Sequence, residues 1–211
     1  MVDWKPSASL QNLQKRAQLL ANIRGFFSER GVLEVETPLL ASATVPDVFI
    51  ESIAAQVIDG ASSSQKFLQT SPEYFMKRLL ASGSGSIYQI AKAFRQEEKS
   101  KRHNVEFTLL EWYRVSYSLD QLMTELEQLL QEVLACGPIP RLSYRELFQQ
   151  YLQIDPHKIS LEDLQRLAAK EVDLSSTDLS RTDYLQLLLG NSIEPQLPPF
   201  CFIYDYPKEQ A

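Results

Sequence analysis

Two apolar segments joined by a charged loop most constrain the fold of this chain. Residues 87–94 (IYQIAKAF) and 105–115 (VEFTLLEWYRV) each read as a strand, because β-branched and aromatic residues are frequent in both. The loop between them contains neither glycine nor proline and is too long for a tight hairpin turn. Polar loops on a rigid sheet commonly carry binding groups. We therefore expect binding or catalytic residues in the segment 94–113, FRQEEKSKRHNVEFTLLEWY.

The second of these strands places four side chains on one face of the sheet. Because side chains alternate, Phe107, Leu109, Glu111 and Tyr113 share that face, with Phe107 and Glu111 roughly 13 Å apart. The Phe107 ring can stack on a base, Glu111 and Tyr113 can hold an ammonium group, and Arg95 can bind a phosphate between them. Spacing alone gives equal weight to another interpretation, in which the apolar residues are core and the loop charges are solvated.

Composition narrows the class of protein. A chain of 211 residues with 44% apolar content fits one domain, or one domain with a small appendage. Its net charge of -6 argues against broad electrostatic capture of nucleic acid. Cys136 and Cys201 lie far apart in the sequence, which favours reduced thiols, and their spacing is not that of a zinc site. With no apolar signal segment and no bilayer-spanning run, the cytoplasm is the expected location.

The first third of the chain is predicted to form a long helix followed by short strands. An apolar stripe runs along residues 9–30, and Gly31 suits the left-handed position that ends a helix. A short strand is expected at 32–36. A hairpin is expected from strands at 53–58 and 66–69, joined by a serine-rich loop at 59–65.

Capping signals predict the remaining helices. Ser71 and Pro72 start a helix that runs to about residue 81, and glycines at 83–85 form the turn into the next strand. Ser118 with Gln121 begins a second long helix. Similar signals at residues 143, 160 and 180 predict short helices in an insertion at about 140–195, before a last strand at 200–204.

These elements indicate an α+β fold with an antiparallel sheet. No regular series of strand, helix and strand with a glycine-rich turn is present, so a dinucleotide-binding parallel sheet is disfavoured.

Three longer strings carry a resemblance to a known family. GVLEVETPLL, FRQEEKSKRHNVEFTLLEWY and TSPEYFMKRLL resemble the first motif, the second motif and the amino-group-binding segment of class II aminoacyl-tRNA synthetases, in the lysyl branch. The resemblance implies a class II antiparallel sheet flanked by helices, with motif 1 at about 10–40 and motif 2 at about 87–115. It also implies a homodimer formed through motif 1.

Within that branch, the chain is most similar to the paralogues that attach (R)-β-lysine to a lysine side chain of elongation factor P. WKPSASLQNLQKRAQLL begins almost at Met1, so an upstream anticodon-binding barrel is not expected, and Ser71 stands where the synthetases usually have alanine. The implied partners are elongation factor P, ATP, and (R)-β-lysine or lysine, while tRNA and membranes are not expected. A catalytic domain of a lysyl-tRNA synthetase and a non-catalytic regulatory paralogue remain open as alternatives.

The same resemblance implies roles for individual residues. Arg95 is the catalytic residue, in contact with the α-phosphate of ATP, where it stabilises developing charge. The implied ATP-binding group comprises Arg95, Gln96, Glu97, His103, Asn104 and Phe107. The implied substrate-binding group comprises Ser71, Pro72, Glu73, Glu111 and Tyr113. Spacing alone instead favours Glu73 as a helix-start acid and Tyr113 as an ordinary strand residue.

The chain also departs from the family pattern. Gln96 replaces the usual asparagine and Val105 the usual proline, so a shifted loop contact is expected. The sequence ends at YDYPKEQA, before the third motif with its metal-binding acids and its arginine for the γ-phosphate. The expectation is therefore an incomplete catalytic domain with little adenylation activity of its own, whose Mg²⁺ ligands lie in the missing part.

Overall fold

A computed structural model describes residues 4–47, 50–96, 103–172 and 179–210. The chain divides into two compact units, residues 1–133 and 134–211. The elements of the first unit, in chain order, are α1 (Leu10–Glu29), β1 (Leu33–Glu34), β2 (Leu40–Ala41), β3 (Ala54–Asp59), β4 (Ser62–Leu68), α2 (Glu73–Ala81), β5 (Ile87–Phe94), β6 (Glu106–Tyr113) and α3 (Leu119–Leu134).

The first helix begins and ends where the sequence predicted. The side chain of Ser9 accepts a hydrogen bond from the backbone N–H of Asn12, which caps α1. Gly31 has a φ of 65°, the left-handed conformation that glycine adopts without steric cost. The chain then turns directly into β1.

The central sheet of the first unit has the strand order β1-β5-β6. Strands β5 and β6 are antiparallel in an unbroken register from Ile87 opposite Tyr113 to Phe94 opposite Glu106. Strand β1, however, pairs with β5 in parallel. The expectation of an antiparallel sheet was therefore only partly right. The connection from β1 to β5 passes through α2 and is long enough to allow a parallel crossover.

The two faces of the β5–β6 pair have different surroundings. On one face Tyr88 and Trp112 pack against Phe27 of α1, together with Leu129 of α3. The rings of Phe27 and Tyr88 are stacked with centroids 4.5 Å apart. On the other face Glu111 contacts the segment that leads into α2. One face is thus a hydrophobic core and the other is available for polar groups.

The hairpin prediction was right in kind and wrong in its loop. Strand β4 begins at Ser62 and pairs with β3 from Asp59 opposite Ser62 to Ala54 opposite Phe67. The connection is therefore the two residues 60–61, with Gly60 at a φ of 58°. The serines that suggested a loop are strand residues with exposed side chains. Strand β2 adds to the other edge of β4.

The second unit is mainly helical. Its elements are β7 (Arg141–Ser143), α4 (Tyr144–Leu152), α5 (Leu161–Glu171), α6 (Arg181–Leu188), a π-helical turn (Leu189–Ile193), two 3₁₀ turns (Glu194–Gln196 and Lys208–Gln210) and β8 (Phe202–Tyr204). Capping boxes at Ser143 and Ser180 start α4 and α6, as predicted. Strands β7 and β8 pair in parallel. The core of the unit is built on Tyr144, Phe148, Tyr184 and their neighbours.

Two predictions from the sequence concern the cysteines and membrane-spanning segments. Cys136 and Cys201 are free thiols. Among the helices of the described residues, none combines the length and the apolarity that crossing a membrane requires.

We expect Phe27→Ala to lower the free energy of unfolding of the first unit by about 3–5 kcal/mol, because it removes a fully buried ring from the core. Denaturant unfolding followed by tryptophan fluorescence measures this change, since Trp112 lies against Phe27. Leu119→Ala, at a position 54% exposed, serves as the control and should change that free energy by no more than about 0.5 kcal/mol. Equal effects of the two substitutions would contradict the assignment of Phe27 to the core.

Candidate functional site

The polar face of β6 holds a carboxylate that accepts two hydroxyl donors. The hydroxyl of Ser71 donates to Oε2 of Glu111 at 2.6 Å, and the phenol of Tyr113 donates to Oε1 at 2.6 Å. Ser71 also accepts the backbone N–H of Glu73, the first residue of α2, at 3.1 Å, while the N-cap residue of that helix is Pro72. The structure thus brings together Ser71, Glu73, Glu111 and Tyr113, all of which the sequence placed in the substrate group. Pro72 lies between them and is buried.

Glu73 supplies the second carboxylate of this cluster. It is the first residue of α2, where the positive end of the helix dipole favours a negative charge. Its Oε1 forms an ion pair with Nζ of Lys77, one helical turn further on. Sequence analysis did not assign Lys77 to the site, although its spacing of four residues from Glu73 on a predicted helix is a signal for this contact.

The phenol of Tyr113 is held in its protonated form. Burial raises the pKa of Tyr113 well above its usual range, and the hydrogen bond to Glu111 and the charges of Glu111 and Glu73 raise it further. At neutral pH Tyr113 is therefore a hydrogen-bond donor that fixes Glu111. Glu111 keeps unused lone pairs on its oxygens, because a carboxylate can accept about four hydrogen bonds.

Arg95 and Phe107 lie together at the other end of the β5–β6 pair. The Cζ atom of Arg95 lies 5.2 Å from the centre of the Phe107 ring, within the range of a cation–π contact. Nε of Arg95 also donates a long hydrogen bond of 3.4 Å to the carbonyl of Thr70. Thr70 directly precedes Ser71, so the segment 70–73 links the arginine to the carboxylate cluster.

The remaining residues of the ATP-binding group have varied positions. Gln96 donates from its backbone N–H to the carbonyl of Glu51 at 2.9 Å and from its side chain to the Glu51 carboxylate at 3.3 Å. His103 and Asn104 are exposed just before β6. Glu97 lies outside the described residues. The role of each residue in nucleotide binding therefore stays a prediction.

A buried carboxylate behind the sheet supports the cluster, and sequence analysis missed it. Glu125 of α3 is 5% exposed and accepts a hydrogen bond of 3.1 Å from the indole of Trp112. Its other oxygen lies 3.2 Å from Nε of Arg114, in an ion pair that does not have hydrogen-bond alignment. Trp112 and Arg114 flank Tyr113, so Glu125 fixes the strand at the point where Tyr113 projects from the opposite face.

A groove of about 400 Å³ lies next to the cluster and is not part of it. Its walls are the segment 41–46, the end of β4 and one side of α2, including Tyr74 and Phe75. Among the members of the predicted site that the structure describes, Ser71 alone lines this groove. Within the described residues, no group of three or more histidine, cysteine, aspartate or glutamate side chains is arranged to hold a metal ion.

The chemistry of the cluster suits a positively charged ligand. The carboxylate of Glu111 and the phenol of Tyr113 lie on one face of the sheet, and the carboxylate of Glu73 lies at the start of α2 beside them. A cation needs such oxygen partners when it is removed from water. The guanidinium of Arg95, with the Phe107 ring beside it, suits a phosphate and a planar base. Along β6, a site that suits a phosphate and a planar base thus lies towards Phe107, and a site that suits a cation lies towards Glu111.

Comparison with known proteins identifies the family. The family model for tRNA synthetases class II (D, K and N) matches residues 1–211. The chain belongs to the class II tRNA synthetases. Its α/β content, with sheets flanked by helices, agrees with this family at that level.

Three curated relatives of this class II chain carry one name, elongation factor P–(R)-beta-lysine ligase. The protein from Proteus mirabilis is 49% identical over 218 residues, which cover 100% of this chain and 67% of the relative. The Erwinia tasmaniensis protein is 46% identical, with 99% and 66% covered, and the Vibrio vulnificus protein is 45% identical, with 99% and 67% covered. The class II chain thus spans about two thirds of the length of these relatives.

The raised pKa of Tyr113 leads to a titration experiment. We expect wild type and Tyr113→Phe to show the same tyrosinate absorbance at about pH 11, because the folded protein keeps the Tyr113 proton there. The free energy of unfolding should fall as the pH rises above the pKa of a tyrosine in the unfolded chain, because only the unfolded chain then releases the proton of Tyr113. Circular dichroism confirms that both proteins are folded at the pH used.

The control is the same pair of proteins in denaturant. There wild type should exceed Tyr113→Phe by the absorbance of one tyrosinate, because Tyr113 then titrates normally. If the folded proteins differ at about pH 11 by the absorbance of one tyrosinate, then burial and the hydrogen bond to Glu111 do not raise the pKa of Tyr113 as described.

Proposed function

We propose that the protein activates (R)-β-lysine, or a closely related lysine isomer, with ATP and transfers it to a lysine side chain of elongation factor P. The observation that carries this proposal is the cluster of Ser71, Glu73, Glu111 and Tyr113, which suits a substrate ammonium group. The names of relatives that are 45–49% identical across this chain support the same reaction.

The first step joins the amino acid to AMP. The carboxylate oxygen of the amino acid attacks the α-phosphorus of ATP, the bond to the β-phosphate oxygen breaks, and pyrophosphate leaves. We assign to Arg95 the stabilisation of negative charge on the α-phosphate and to Phe107 the stacking of adenine. Gln96, Glu97, His103 and Asn104 complete the proposed nucleotide site.

The cation site positions the amino acid for that attack. Glu73 receives an ammonium group of the substrate, while Glu111 adds a second carboxylate and is itself fixed by Ser71 and Tyr113. A diamino acid brings two ammonium groups, and each needs a partner once it is desolvated. Arg95 lies towards one end of the strand pair and the carboxylates lie towards the other. This order is the one expected for a bound nucleotide followed by an amino acid.

The second step transfers the acyl group. The neutral amine of the acceptor lysine attacks the acyl carbon, an amide bond forms, and the bond to AMP breaks, so that AMP and one proton are released. When bound, Mg²⁺ neutralises the phosphates, as is general in this family. No described residue is assigned to the metal or to removing the proton from the acceptor amine. A homodimer formed through the segment 10–40 belongs to the same proposal.

Amino-acid-dependent pyrophosphate exchange tests the proposal on the protein expressed from its complete coding sequence. We expect exchange with (R)-β-lysine or lysine and a mass increase on elongation factor P. Glu73→Gln should lower kcat/KM by about ten- to hundredfold, because it removes a charged partner of the substrate ammonium. Glu106→Gln provides the control: Glu106 is a carboxylate of β6 that forms an ion pair with Lys92, and its loss should have little effect.

Strong exchange with an amino acid that is not a lysine isomer would contradict this proposal. Charging of lysine tRNA without modification of elongation factor P would instead favour the synthetase alternative. Binding of ATP or lysine without any exchange would favour a regulatory protein.

A further inference from the structure

Lys77 is a charged residue at the cation site that the proposed reaction does not use. It lies on α2 four residues after Glu73, and its Nζ forms an ion pair with Oε1 of Glu73. The two side chains are 56% and 42% exposed, so both remain in contact with solvent. The protein thus places one of its own ammonium groups on the carboxylate that the proposed function assigns to an ammonium group of the substrate.

The electrostatic surroundings of Lys77 match those proposed for the substrate. The pKa of Lys77 is raised first by its hydrogen bond to Glu73, then by the charge of Glu73, with a smaller contribution from Glu111. The facing groups are therefore Glu73 and Tyr74 on its own helix and Glu111 on β6. Lys77 lies in the field of the same two carboxylates, and it remains charged at every pH where a lysine substrate is charged.

We propose that Lys77 is an internal competitor for the substrate ammonium group: it neutralises Glu73 before the substrate binds, and the diamino acid must displace it. This inference rests on the proposed function, because it needs Glu73 to receive that ammonium group. Two cations on one carboxylate repel each other, so the incoming ammonium and Nζ of Lys77 exclude one another at Oε1.

Displacement of Lys77 has a small cost. Exposed ion pairs four residues apart on a helix are weak, and they shift an equilibrium by only about twofold. The lysine side chain has four flexible carbons, so its ammonium group can move into water without moving the helix. The competitor therefore lowers the affinity for the substrate without blocking the site.

Binding measurements on variants of the protein expressed from its complete coding sequence separate this role from that of a surface ion pair. We expect Lys77→Met to bind (R)-β-lysine and lysine about twofold more tightly than wild type, because the substrate no longer has to break the ion pair of Glu73 with Lys77. Lys77→Arg keeps the cation and should behave like wild type. Isothermal titration calorimetry gives the Kd values, and circular dichroism confirms folding, which an exposed methionine on a helix preserves.

Arg78→Met is the matched control for net charge. Arg78 is the next residue of α2, and its guanidinium lies over the ring of Phe75, 5.8 Å from the ring centre. This variant loses the same charge from the same helix and should leave the Kd for lysine unchanged.

Two results would overturn the inference while leaving the proposed function intact. One is an unchanged or weaker affinity of Lys77→Met for lysine isomers. The other is equal tightening by Arg78→Met, which would show a general effect of net charge. If wild type and both variants bind no lysine isomer, then the proposed function fails and the role of Lys77 fails with it.

Discussion

The antiparallel pairing of β5 with β6 is the constraint on which the first unit depends. Its register is unbroken over eight residue pairs, and strict alternation gives the ribbon one apolar and one polar face. A slip of one residue would exchange these faces and move Glu111 and Tyr113 into the core beneath α1. The stacked rings of Phe27 and Tyr88 therefore do more than bury surface, because they also help to determine which side chains lie on the face of the candidate site.

Much of this unit could be predicted from local patterns. The bounds of β5 follow from its apolar composition, and the start of α1 follows from the serine cap at Ser9. In the second unit the starts of α4 and α6 follow in the same way from Ser143 and Ser180. Long-range arrangement was less accessible. The parallel pairing of β1 and the two-residue turn of the β3–β4 hairpin depend on partners that a local pattern does not specify. Serines at 62–64 suggested a loop because serine has a weak preference for strands, and pairing with β3 overrode that preference.

The members of the candidate site were predicted, but their connections were not. Ser71 and Glu111 are separated by 40 positions, and only the folded chain brings the hydroxyl to the carboxylate. Resemblance to a family supplied the residues, and the geometry supplied the order of hydrogen bonds among them. Glu125 had no such signal, since an acid within an apolar helix stripe usually lies in solvent. Its burial becomes reasonable only when Trp112 and Arg114 are seen to satisfy it.

The two carboxylates of the cluster have different capacities to change partners. Glu111 accepts two short hydrogen bonds from groups anchored in the fold, so its side chain is already fixed without a ligand. Binding of a ligand would therefore cost little conformational entropy at Glu111. Glu73 is paired instead with a flexible lysine that is more than half exposed. Since a buried carboxylate without a partner is costly, a site with two fixed carboxylates would resist losing its ligand. In the proposed function, a fixed Glu111 beside an exchangeable Glu73 would allow the site to hold an ammonium group in place and still release the product.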